Sequence, residues 1–195
     1  MSRGKMEMMA RLPSPLHAQR GTTLLEVLIT IVILAIGLLG LAGLQARLQS
    51  SEMEAYQRSQ ALILLNDMAS RIATNRANAL AYVTVSPLGV GASVCGDTST
   101  RQKADACEWS NALQGAGETL GGNNIGAMVG GRGCIQSLNS TDFMVTVAWQ
   151  GLTPVAEPPD SVTCGLNQYD GGTACVGDLC RRTVTTIVRI GNLAS

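Results

Sequence analysis

The sequence predicts an α+β chain: one long N-terminal α-helix, its first half apolar enough for a bilayer, its second half packed on a small antiparallel β-sheet with disulfide-stapled loops. Three observations carry that reading. An apolar run from Thr22 to Leu44 passes directly into a stretch of helical period, two later segments have the texture of strands, and all six cysteines lie downstream of the run.

Residues 1–21 have no useful period, and the prolines of "LPSPLH" oppose a helix there. They hold Arg3, Lys5, Arg11 and Arg20 against Glu7, a net +3, which leaves the other 174 residues with ten basic and thirteen acidic groups. We read 1–21 as a basic leader, with Met6, Met8 and Met9 as alternative starts. A basic head before an apolar run places the N-terminus on the cytoplasmic side and the remainder across the membrane. The net −3 of that remainder gives no bulk attraction for nucleic acid, and no nucleic-acid partner is expected.

Residues 22–44 contain one charge, Glu26. At about 1.5 Å per residue the run is roughly 35 Å long as a helix, enough to span a bilayer. From Gln45 to Asn75 there is no Gly or Pro, and Ala55, Leu62, Leu65, Ala69 and Ile72 fall at helical spacings on one face. The spacing predicts one continuous helix of about 50 residues. Asn75 and Asn78 are its stop signals, and Pro87 with Gly89 follows its end. The expected division is therefore a leader at 1–21, a membrane half of the helix at 22–44, an amphipathic half at 45–78 and a globular β domain at 79–195.

Within that domain "GETLGGNNIGAMVGGRG" reads as turns and loops. "FMVTVAWQ" (143–150) alternates, with Phe143, Val145, Val147 and Trp149 on the face expected to pack on the helix. "RTVTTIVRI" (182–190) is β-branched and reads as a second strand. "GLTPVAEPPD" and "NQYDGGTACVGD" are loops. Trp109 and Trp149 are expected in the core. Asp67 and Arg71, at i and i+4, read as an ordinary surface pair worth a few tenths of a kcal/mol, and Arg181 and Arg182 as solvated strand-edge residues.

The cysteines are Cys95, Cys107, Cys134, Cys164, Cys175 and Cys180. Their even number, the absence of any C-x-x-C and their place beyond the membrane run favour disulfides over a metal site. Fifteen connectivities are open. Short separations suggest Cys95–Cys107 and Cys175–Cys180 as local pairs, with Cys134 and Cys164 left over. The one histidine, His17, lies in the leader, and Lys103 is the one lysine beyond it. A chain without its leader has no Ser-His or Cys-His pair and no His-ligated metal. Neither a catalytic site nor a cofactor is expected.

Glu26 needs an explanation, because a charge at the centre of a membrane helix costs about 2.5–3.5 kcal/mol. Its place near the cytoplasmic end lowers the cost, and the helix dipole offsets part of it, typically about 0.3–1 kcal/mol. A cut between Gly21 and Thr22 would supply the missing cation: a new α-amino group, with a reference pKa of about 7.7–8.0, four residues from Glu26. Pairing that amine with Glu26, on the same chain or a neighbour, would set the axial register of packed helices.

"RGTTLLEVLITIVILAIGLLGL" resembles the class III signal of type IV pilins and their relatives. The resemblance implies the pilin fold and cleavage by a prepilin peptidase after Gly21. It also implies N-methylation of Thr22, in a position where major pilins usually carry Phe, and subunit docking through Glu26. "NDMASRIATNRANA", "CEW", "MVTVAWQ" and "CRRTVTTIVRI" together resemble minor pilins of the PilV family. That implies a non-enzymatic role in type IV pilus assembly and initiation, in a priming or tip complex. The implied partners are other minor pilins, the major pilin, the inner-membrane assembly platform and membrane lipid. The implied location is the inner membrane, with a periplasmic domain, and then the pilus. The rival readings are a minor pseudopilin of a type II secretion system and a signal-anchored periplasmic binding protein. Gly37, Gly40 and Gly43 either permit close helix packing or, where major pilins carry a helix-breaking proline, make the helix locally meltable.

Overall fold

The computed structural model describes residues 23–90, 95–117, 119–121, 123–124 and 128–191. The chain divides into two compact units, residues 1–46 and 47–195. Helix α1 runs Leu24–Thr74, 51 residues without a break. It is long and apolar enough to cross a membrane, and none of its most apolar window is buried. Residues 23–46 are exposed on every side, the pattern of a helix meant for an apolar surrounding. A Cβ at Gly37, Gly40 or Gly43 would meet nothing within 4 Å, so these glycines serve no packing among the described residues.

In the second unit α1 buries Gln57, Ala61, Leu65, Met68 and Ile72. Leu65, Ala69 and Ile72 pack as the sequence predicts, but Ala55 and Leu62 are exposed. The buried strip centres between Ala61 and Ile72, and at 3.6 residues per turn Ala55 and Leu62 lie roughly 100° round from it. The three-stranded sheet is too narrow to cover both sides of the helix.

After α1 a 3₁₀ segment, Arg76–Tyr82, leads to residues 84–88, which lie against the sheet. Helix α2, Arg101–Leu113, follows, then two short paired strands, β1 (Thr119–Leu120) and β2 (Asn123–Asn124). The main sheet is β3 (Arg132–Ser137), β4 (Asp142–Gln150) and β5 (Arg181–Arg189), antiparallel in that order. Val145 faces Ile135 on one side and Thr186 on the other.

One core joins α1, α2 and the inner face of the sheet: Met68, Ile72, Trp109, Leu113, Phe143, Val145, Val147 and Trp149 belong to it. Burying each large side chain contributes about 1.5–3 kcal/mol, so this cluster dominates the unit's stability. Trp109 is fully buried, and its indole N–H donates to the Leu64 carbonyl at 2.9 Å. The ring fills the space where Gly133 has no side chain; a Cβ at Gly133 would overlap it. Gly89, at φ +94°, lets residues 84–89 turn against Gly131, and its N–H donates to Ser110 Oγ at 3.2 Å.

The outer face of β4 is not solvated. Thr146 is 1% and Ala148 0% exposed. Cys134, Ala148, Cys164 and Tyr169 form a second apolar cluster there, brought over the sheet by the loops between β4 and β5. The disulfides are Cys95–Cys107, Cys134–Cys164 and Cys175–Cys180.

Candidate functional site

The N-terminal segment is built from a capped helix start. Thr23 directly precedes α1, and its Oγ1 accepts a hydrogen bond from the Glu26 backbone N–H at 3.3 Å. The Thr23 carbonyl accepts from the N–H groups of Glu26 and Val27 at 3.0 and 3.3 Å. Thr23-x-x-Glu26 is therefore a capping-box sequence, and its threonine satisfies one of the N–H groups that a helix start leaves unpaired. Sequence reading overlooked Thr23; the T-x-x-E spacing ahead of an apolar run is the signal that identifies it. Glu26 is exposed in the first turn, at the positive end of the helix dipole. Gly21 and Thr22, where cleavage and methylation are expected, lie outside the described residues, as does His17.

At the C-terminal end of α1 the charges are far from an ordinary surface pair. Arg71 Nε lies 2.9 Å from Asp67 Oδ2, and its Nη1 donates to Asp105 at 2.8 Å and Glu108 at 2.6 Å, both on α2. Burial works against its charge, but hydrogen bonds with Glu108, Asp105 and Asp67 raise its pKa further above the ordinary arginine value. The Tyr82 hydroxyl donates to Asp105 Oδ2 at 2.5 Å and accepts from Asn75 Nδ2 at 3.0 Å. Burial first, and the donated bond to Asp105 second, push the Tyr82 phenol above its usual value. The network ties together the end of α1, the 3₁₀ segment and α2. Its charged groups are paired with one another across three elements, so its evident work is to hold the helix end against the domain.

Arg181 and Arg182 also correct the sequence reading. Arg181 is 2% exposed, with Nε 3.0 Å from Asp178 Oδ2 and Nη1 donating to the carbonyls of Val162 and Cys164. Asp178 is buried too, and its Oδ1 accepts from the Asn167 N–H at 2.9 Å. Arg182 Nη2 pairs with Glu54 of α1 at 3.4 Å and donates to the Thr153 carbonyl at 2.5 Å. Both arginines organise the 152–180 loops, joining a near partner such as Asp178 to distant ones such as Val162, Cys164 and Glu54. Lys103 is tied to Asp97 in an exposed ion pair that holds the aspartate well below the usual carboxylate range.

Among the described residues no three His, Cys, Asp or Glu side chains gather as a metal site, and the six cysteines are in disulfides. The feature with functional chemistry is the N-terminal segment: an apolar helix, a capped start and one carboxylate in the first turn. A family model described as the prokaryotic N-terminal methylation motif matches residues 16–42. No curated protein and no solved structure matches the chain. The chain thus carries, across residues 16–42, the methylation motif of class III prepilin signals, which supports a type IV pilin-like protein.

Proposed function

We propose that the chain is a minor pilin of a Gram-negative type IV pilus, of the PilV kind, that acts in pilus assembly and initiation within a priming or tip complex. The observation that carries this reading is the methylation motif over residues 16–42, lying on an apolar helix with Glu26 in its first turn. In this reading a prepilin peptidase cuts between Gly21 and Thr22, and Thr22 is N-methylated. The new amine pairs with Glu26 on its own chain or a neighbour. Residues 22–44 wait in the inner membrane and then enter the filament core, while the disulfide-bearing domain faces the periplasm, where disulfides persist. The work is structural: the protein is the substrate of an enzyme and contacts other minor pilins, the major pilin and the assembly platform.

Mass spectrometry of the chain from membranes and from sheared pili tests this directly. The expected N-terminus is Thr22 bearing one methyl group, and an intact Arg20–Gly21–Thr22 sequence would sink the reading in favour of a signal-anchored protein. Glu26→Ala should leave cleavage intact and remove the chain from filaments; normal incorporation would count against the docking role. Gene deletion separates the pilus from its near relative: lost piliation and twitching supports the minor pilin, whereas lost exoprotein export with normal pili points to a type II pseudopilin.

A further inference from the structure

The two edges of the main sheet are treated differently. The outer edge of β3 is occupied by residues 84–88: the Thr84 N–H donates to Ile135, and Leu88 bridges Gly133. No strand lies beyond β5 among the described residues. The bonds Gly151 N–H to Cys180 and Ile190 N–H to Thr141, both 2.8 Å, fix which backbone groups of β5 face β4. They are those of the even-numbered residues, so the N–H and C=O groups of Thr183, Thr185, Ile187 and Arg189 point out of the sheet. This edge has no proline, no lysine and no bulge to blunt it, and Ile187 is 57% exposed on it.

Beside the edge lies an open groove of about 380 Å³ between β5 and α1, lined by Ser51, Ala55, Arg58, Trp149 and Val184 among others. Its helical wall is the strip Ser51, Ala55, Arg58 that continues to Leu62, the side of α1 that the sheet leaves uncovered. Glu54 is already engaged by Arg182, Leu152 and Thr153. The Arg58 guanidinium is exposed and has no partner among the described residues.

We infer that the β5 edge is a docking site for an extended segment of a partner protein, which adds antiparallel as a fourth strand with an acidic side chain against Arg58. Its backbone would pair with Thr183, Thr185, Ile187 and Arg189. Its inward apolar side chains would cover Ala55, Leu62 and Val184, and its acidic residue would sit near its C-terminal end, because Arg58 lines the groove at the Thr183 end of β5. A second copy of β5 does not fit. Its sequence, RRTVTTIVR, brings arginines and no acid to Arg58. The site depends on nothing at the N-terminus and stands whether or not the chain enters a pilus.

The test is fluorescence anisotropy on the full chain in detergent. The probe is a labelled heptapeptide of alternating valine and threonine with a C-terminal aspartate. The expected result is binding at least tenfold tighter than that of the same peptide ending in lysine, and abolished by N-methylation of alternate peptide bonds. Ile187→Pro removes only an outward N–H, so it should weaken binding at least tenfold with unchanged circular dichroism. Thr185→Pro is the second variant, should the first fail to fold. Arg58→Glu should reverse the aspartate preference and Arg58→Lys should retain it. Absence of binding, equal binding of the two peptides, or full binding to a folded proline variant would overturn the proposal.

Discussion

The Arg71 guanidinium of α1 donates to the Asp105 carboxylate of α2 at 2.8 Å, across 34 residues of sequence. Asp105 is 6% exposed and also accepts the Tyr82 hydroxyl. Arg71→Met would leave that carboxylate buried without its closest cation, since Arg101 Nε stands 3.8 Å from it. The expected loss is about 2–3 kcal/mol, below the full cost of an isolated buried charge because the Tyr82 bond persists. Urea unfolding of the full chain in detergent, with disulfides intact, measures it. Asp67→Ala, which removes the partly exposed partner, should cost under about 1 kcal/mol.

That pair shows what was legible in the sequence and what was not. The long helix, strands β4 and β5 and the buried Trp109 and Trp149 follow from local period and residue type. The distant partners of Arg71, Arg181 and Arg182 do not, because Asp105, the Val162 carbonyl and Glu54 are far off in sequence and have no local signature, whereas Asp67 and Asp178 are neighbours within a helical turn's reach. Helix α2 was hidden for a related reason. Two of its four buried residues, Asp105 and Ser110, are polar, so no apolar stripe marks its inward face. Both faces of β4 are covered because a disulfide-bearing loop folds back over Thr146 and Ala148, and strand alternation alone cannot report such cover. At the N-terminus the reverse holds: Thr23 and Glu26 are neighbours in sequence, and the T-x-x-E pattern suffices.

Alkaline pH should destabilise the domain through its buried phenols. The Tyr82 and Tyr169 values are both raised above 10.0, in each case chiefly by burial. A raised folded value means that the unfolded chain releases its proton first. The stabilisation is therefore complete below pH 10 and declines as pH rises through the folded values. Stability measured by urea midpoint should fall from about pH 10 upward. Tyr82→Phe or Tyr169→Phe should make the decline shallower and remove a late-ionising component from the phenolate absorbance titration. An unchanged slope in both variants would contradict the sign.

The Cys134–Cys164 bridge encloses the longest loop of the three, with a sequence separation of 30. Its two sulfur-bearing residues also pack with Ala148 and Tyr169 over the outer face of β4. Replacing both with serine should cost about 3–4 kcal/mol by the loop-entropy estimate, while the pair Cys175 and Cys180, separated by 5, should cost about 2. The ordering of the two denaturation midpoints is the readout. The same loss should expose Tyr169, seen as a shift in its phenol titration toward that of a solvated tyrosine.

The Arg181–Asp178 pair is the most deeply buried charge contact in the described residues, at 2% and 3% exposure. Asp178 sits at φ +60°, a conformation that Asn and Asp tolerate better than other side chains, so Asp178→Asn keeps the backbone and removes only the charge. The guanidinium would then be buried with two carbonyls and no anion, at an expected cost of about 3–5 kcal/mol. Arg181→Met in the wild-type background should cost a similar amount, because it strands Asp178 and also frees the Val162 and Cys164 carbonyls. The double variant should cost clearly less than the sum of the two, since each single change leaves one uncompensated charge and the double change leaves none. A double-mutant cycle of urea midpoints that sums without coupling would show that the two charges act independently despite their 3.0 Å separation.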